Sequence, residues 1–262
     1  MLFVLLVVPT IPLEQGSFQT PLAYEKLTTG LRDAGYAVVH PLLPTCSDLE
    51  TSAFPSHTLR NDAEVVTRVI QQLVEEEGRY VVVVMHSYGG TVGSEAISDP
   101  LTAAVRHADG QKGGVLRLFY YAAFALAEGQ SVLGSFGESP NNDVLPDGTF
   151  RIKNGAQTLY SDLPPQEVAV WDQASSRNRM GCGRRPPPGR PISYNYLPST
   201  YLVCDADQAV PPQFQEGFAA LVKAVEVGHC GASHSPMLSQ PAMLVGKITA
   251  VVDKAAAAVG LL

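Results

Sequence analysis

The feature that most constrains this chain is an apolar, β-branched run that ends abruptly in a small polar turn. Residues 81–93 read VVVVMHSYGGTVG. Four valines and a methionine without polar alternation describe a strand buried on both faces, as in a parallel sheet between helix layers. His86-Ser87-Tyr88-Gly89-Gly90 then turns the chain, and the small residues let a helix begin close to the strand it has just left. A strand–turn–helix of this kind lifts the Ser87 hydroxyl out at the carboxyl end of the sheet. It also sets the serine at a helix N-terminus, where N–H groups and the positive dipole end stabilise a developing oxyanion. The competing reading is a plain N-cap serine opening a glycine-rich helix. The usual G-x-S-x-G pattern has glycine where this chain has Met85, so the context carries the assignment rather than the regular expression.

The rest of the chain repeats the alternation. Residues 22–34 read as a helix closed by Gly35, 36–40 as a short strand, and 58–77 as an amphipathic helix closed by Gly78. Strands follow at 80–85 and 115–122, with a helix at 89–98 between them. A strand at 200–204, a helix after Pro211-Pro212, a short strand at 224–227 and a helix from Pro241 complete the set. This predicts an α/β fold: a mostly parallel sheet with helices on both faces, in one domain spanning residues 1–262. The apolar residues 1–8 read as the first buried strand. The run is short, has no basic start and ends at Pro9, unlike a signal peptide. No stretch approaches the ~18 apolar residues that span a bilayer. Residues 128–198 show no clean strand and crowd proline and glycine into RMGCGRRPPPGRP. They are expected to form a cap inserted over the sheet's carboxyl edge, with the PxxP-like PPPGRP as a stiff loop.

The net charge of −7 repels phosphate backbones and anionic lipid, which argues against nucleic acid or a membrane surface as main partner. Four cysteines without a CxxC pair or a dense framework read as reduced thiols of a cytoplasmic protein. Ser87 needs a base. His40, His57 and His107 fall at element ends or in loops, and His86 adjoins the serine at a turn that points the two apart. His229 and His234 both follow the last short strand. The chain order Ser, acid, His favours His234, because His229 falls too near the strand end. For the acid, Asp205 and Asp207 follow the strand at 200–204, and spacing alone does not choose between them. Glu128 is a third candidate.

Four blocks, VMHSYGG, LFYYAAFALAEGQS, STYLVCDADQAVPPQFQE and GASHSPMLSQP, resemble in this order the small α/β-hydrolases related to plant methylesterases and hydroxynitrile lyases, with many fungal members closer still. The resemblance implies the α/β-hydrolase fold, Ser87 as nucleophile, Asp207 as acid and His234 as base, with no metal and no organic cofactor. Gly16-Ser17-Phe18-Gln19-Thr20-Pro21 resembles the family's G-A-W-H-T-P stretch, which implies the Ser17 and Tyr88 N–H groups as oxyanion-hole donors. Between residues 1–8 and that loop stands an added stretch with Pro9 and Pro12, neither of which has an N–H to donate. The family's lyases carry a lysine directly after the base; here Ser235 stands there, which disfavours cyanohydrin cleavage. Phe18, Tyr88, Phe124, Trp171 and Met237 are expected to line a pocket suited to an apolar or aromatic substrate. The activity so implied is serine hydrolysis of an ester or lactone of a small apolar carboxylic acid. The alternatives are a non-hydrolytic or C–C-cleaving enzyme of secondary metabolism and an inactive hydrolase-like binding protein. The partner expected is a small-molecule substrate, with a homodimer left open.

Overall fold

Buried apolar runs separated by amphipathic helices assemble here into one parallel sheet. The computed structural model describes residues 8–47, 56–130, 132, 140–145, 149–175, 178–179 and 191–261. Along the chain come strands β1 (Ile11–Glu14), β2 (Val38–Val39), β3 (Tyr80–His86) and β4 (Gly114–Tyr121), then the short β5 (Asn142–Val144), β6 (Thr149–Ile152) and β7 (Asn178–Arg179), then β8 (Ser199–Cys204) and β9 (Glu226–Cys230). The helices are α1 (Glu25–Asp33), α2 (Pro44–Ser47), α3 (Leu59–Gln71), α4 (Gly89–Ala96), α5 (Ala103–Ala108), α6 (Gly155–Thr158), α7 (Pro165–Ala174), α8 (Pro212–Leu221), α9 (Pro236–Ser239) and α10 (Pro241–Ala258). The main sheet has the order β2-β1-β3-β4-β8-β9, with every pairing parallel.

Val81 to Met85 of β3 are all fully buried, so neither face of this central strand meets water. At roughly 1.5–3 kcal/mol for each such side chain, this strand is a main anchor of the fold. Helices α1 and α10 pack together, as do α3 and α4. Among the described residues, no helix is long and apolar enough to cross a membrane.

Three expectations are corrected. Of the 1–8 run expected to form the first strand, residues 1–7 lie outside the described residues. The first described strand is Ile11–Glu14, directly before the glycine loop, where an added stretch was expected. Pro12 argues against a central strand because it donates nothing to the ladder. Its neighbours supply those bonds, Thr10 N–H to Tyr80 O and Ile11 N–H to Ala37 O, both at 2.8 Å. The glycine loop at Gly16 therefore follows its strand after a single residue, Gln15, and no added stretch intervenes. The last strand runs Glu226–Cys230 rather than 224–227, because an edge strand with one open face has a weak apolar pattern. Within 128–198 three short strands form an antiparallel sheet, β5-β6-β7, too brief to leave a periodic signal. Phe150 of β6 packs edge-on against Phe18, with ring centroids 5.2 Å apart. Apart from Pro191, the PPPGRP segment lies outside the described residues.

The new strand ends on an anomaly. Glu14 is fully buried, and neither carboxyl oxygen has a hydrogen-bond partner among the described residues. Loss of hydration, with added repulsion from buried Asp62, pushes its carboxyl from the usual 4.5 to about 8. The folded state therefore favours the neutral acid. The cost of ionising it in place grows from the unfolded value upward and levels off above the folded one. Glu14→Gln is expected to stabilise the chain increasingly between pH 5 and 8.5, by up to about 4–5 kcal/mol at the upper end. Urea melts of both proteins at the two pH values check this. A pH-independent difference would contradict it.

Candidate active site

Strand order reverses between β1 and β3: the chain proceeds from β1 to β2 on one side, and through β3, β4, β8 and β9 on the other. In an open parallel sheet the crevice at that switch point, beyond the carboxyl ends of the strands, is where ligands bind. The loop after β1 brings Gly16, Ser17 and Phe18 there, and the turn after β3 brings Ser87. A Cβ placed on Gly16 would lie 2.8 Å from the Ser87 Cβ, so the two loops touch.

Ser87 has φ 52°, a left-handed conformation costing a non-glycine residue ~1–3 kcal/mol. The turn is held by two hydrogen bonds to the Ser87 carbonyl, from Gly90 N–H and Phe124 N–H, both at 3.0 Å. Gly89 cannot be larger, since a Cβ there would meet the Glu14 carbonyl oxygen at 2.4 Å. Met85 occupies the motif's first glycine position without forcing the helix away, because Gly93 of α4 leaves room for its sulfur; a Cβ on Gly93 would sit 2.5 Å from Met85 Sδ. Gly93→Ala is thus expected to destabilise the fold by ~1–3 kcal/mol through overpacking. Adding Met85→Ala should recover part of that loss, and thermal melts of the single and double variants read it out. Equal losses in both would contradict the contact.

The structure brings Ser87, His234 and Asp207 together. Ser87 Oγ lies 3.1 Å from His234 Nε2, and His234 Nδ1 lies 2.8 Å from Asp207 Oδ2. All three are buried. Asp207 Oδ1 accepts the N–H groups of Ala209 and Val210, at 2.8 and 2.9 Å, in the turn that opens α8. Its Oδ2 also accepts Gln215 Nε2 at 3.0 Å. Four donors converge on one carboxylate, which fixes its orientation toward the imidazole. The other candidates are elsewhere. Asp205 Oδ1 is 2.8 Å from His229 Nδ1 on the surface, and that carboxylate, with Glu216 beyond it, raises the His229 imidazole above its ordinary range. Glu128 is exposed.

Two residues that the sequence did not single out hold this arrangement. Gln215 bridges Asp207 to the Cys204 and Val210 carbonyls. Asp162, from the segment between β4 and β8, accepts both the N–H (2.9 Å) and the hydroxyl of Ser233, directly before His234. Neither leaves a spacing signature, because each partner is brought in by the fold.

The remaining expected site residues divide. Phe18 is buried with φ 67°, Ser17 is half-buried beside it, and Phe124 bonds the serine turn through its backbone. The Tyr88 side chain turns into the core and donates its hydroxyl to Asp62 Oδ2 at 2.7 Å. Met237 is fully buried in α9, and Trp171 is half-buried on α7. Ser235 is buried, with its Oγ 2.8 Å from Gln19 Nε2. Among the described residues, no group of three or more His, Cys, Asp or Glu side chains could hold a metal ion.

Comparison with known proteins agrees with this architecture. An α/β hydrolase nvfD from Aspergillus novofumigatus is 28% identical over 247 residues, covering 92% of this chain and 95% of that one. The crystal structure of a polyneuridine aldehyde esterase mutant superposes with a TM-score of 0.72 at 16% identity, over 93% of this chain and 98% of the other. Tomato methylketone synthase I in complex with 2-tridecanone gives 0.72 at 14% identity, over 95% and 99%. At such identities the two solved structures speak for the fold alone. The profile of the alpha/beta hydrolase family matches residues 5–247, and the chain belongs to that family.

Proposed function

We propose that this protein is a serine hydrolase that cleaves an ester or lactone of a small apolar or aromatic carboxylic acid. The observation that carries the reading is the continuous hydrogen-bonded line Ser87–His234–Asp207 at the switch-point crevice. In that line His234 Nε2 takes the Ser87 proton as Oγ attacks the substrate carbonyl carbon. The carbonyl oxygen becomes an oxyanion facing the Ser17 and Tyr88 N–H groups, the donors offered by the loop after β1 and the start of α4. Collapse breaks the acyl–oxygen bond, and the alcohol leaves with the proton from His234. Water, deprotonated by the same imidazole, then releases the acid and restores Ser87. Asp207 holds the imidazole with its Nδ1–H toward the carboxylate and stabilises the imidazolium.

Cyanohydrin cleavage finds no support, since the residue after His234 is neutral, buried Ser235 bonded to Gln19. A second reading, non-hydrolytic or C–C-bond-cleaving chemistry on the same residues, draws on the fold shared with methylketone synthase I. Turnover of short aryl esters in ¹⁸O-labelled water separates the two. Hydrolysis places one heavy oxygen in the product acid, and product formed without label would reject it.

A further inference from the structure

His86 is fully buried one residue before Ser87, and its ring is stacked on Tyr121 with centroids 4.7 Å apart. It touches two loops of the site. Its Nε2 lies 2.8 Å from the backbone carbonyl of His234. Its Nδ1 lies 2.7 Å from the hydroxyl of fully buried Tyr24, and that hydroxyl accepts the Gly16 N–H at 2.8 Å. A carbonyl can only accept, so His86 Nε2 carries the hydrogen and Nδ1 offers its lone pair. The single Tyr24 proton therefore goes to Nδ1. The Gln19 side-chain oxygen lies farther from the same hydroxyl, at 3.0 Å, and the Gln19 amide nitrogen donates to Ser235 Oγ at 2.8 Å.

Resting on the hydrolase reading, we infer that Tyr24 and His86 are positioning residues: one ordered line, Gly16 N–H to Tyr24 to His86 to His234 carbonyl, sets the oxyanion loop and the histidine loop in register. Burial, with the neighbouring His234 ring adding to it, pushes the His86 imidazole well below its ordinary range, so it stays neutral and the line keeps one direction. His86 is then a strut between the two loops and not a spare base. The reaction needs both loops at once, because Ser87 lies between them and must meet the N–H donors and the imidazole in one geometry. Displacing a donor or a base by a fraction of an ångström is enough to slow the chemistry.

The test uses the full chain, a short aryl ester and a fluorophosphonate probe. Tyr24→Phe keeps the ring and removes the hydroxyl. It is expected to lower kcat about 10- to 100-fold with KM changed less than about twofold, and to slow probe labelling of Ser87 in proportion. His86→Gln, which keeps an N–H near the Nε2 position, should retain more activity than His86→Leu. The Tyr24→Phe/His86→Leu double variant should be no slower than His86→Leu alone, because the line is already broken. A Tyr24→Phe chain that melts lower yet keeps wild-type kcat and labelling would overturn the inference while leaving the hydrolase reading intact. Additive losses in the double variant would do the same. A wild-type chain that the probe does not label would defeat the hydrolase reading, and the inference with it.

Discussion

Ser87→Ala is expected to abolish ester turnover, with kcat falling ~10⁴–10⁶-fold, while the protein still folds. In the proposed mechanism the hydroxyl is the atom that attacks, and no other described side chain lies hydrogen-bonded to His234 Nε2 in its place. The substitution removes one oxygen from a small, buried side chain, and the turn keeps its backbone bonds from Gly90 and Phe124. Circular dichroism and the thermal midpoint should therefore stay close to wild type. A variant that kept a tenth of the activity would remove Ser87 from the role.

Asp207→Asn is expected to be nearly as damaging, at up to ~10⁴-fold, and Asp205→Asn mild. The reason lies in the donors around Asp207. Backbone N–H groups of Ala209 and Val210 face one carboxyl oxygen, and Gln215 and His234 face the other. An asparagine must turn its NH₂ toward one of these pairs, setting donor against donor. The orientation that satisfies the backbone pair points NH₂ at His234 and selects the tautomer with hydrogen on Nε2, which cannot take the serine proton. The Asp205 side chain is hydrogen-bonded to surface His229, and exposed pairs of that kind contribute little, about 0–1 kcal/mol. A greater loss from Asp205→Asn would show that the carboxylate has been misassigned.

Much of this fold could be read along the chain because strands buried on both faces leave unbroken apolar runs. β3 and β4 are of that kind, and glycines mark the helix ends before β2 and β3, with Gly35 at φ 93° and Gly78 at φ 64°. β1 could not be read so. It contains Pro12, which local rules exclude from a central strand, and it ends in Glu14, which burial normally excludes; tertiary packing overrides both. The proposed serine and base were visible because each follows a strand end, where the punctuation of the chain is strongest. The strand end narrowed the acid only to Asp205 or Asp207, and the family resemblance pointed to Asp207. The groups that hold them were not. Gln215 reaches Asp207 across 8 residues, Tyr24 reaches His86 across 62, and Asp162 reaches Ser233 across 71. Nothing in a sequence spacing marks such partners, since only the folded sheet edge brings them into contact.

The most direct measurement is covalent labelling with a fluorophosphonate, followed by mass mapping of the adduct. Activation of Ser87 by His234 predicts one adduct per chain, on the peptide carrying Ser87, absent in Ser87→Ala and strongly slowed in His234→Ala. A folded wild-type chain that took up no label, or took it up at another residue, would contradict the assignment of this site.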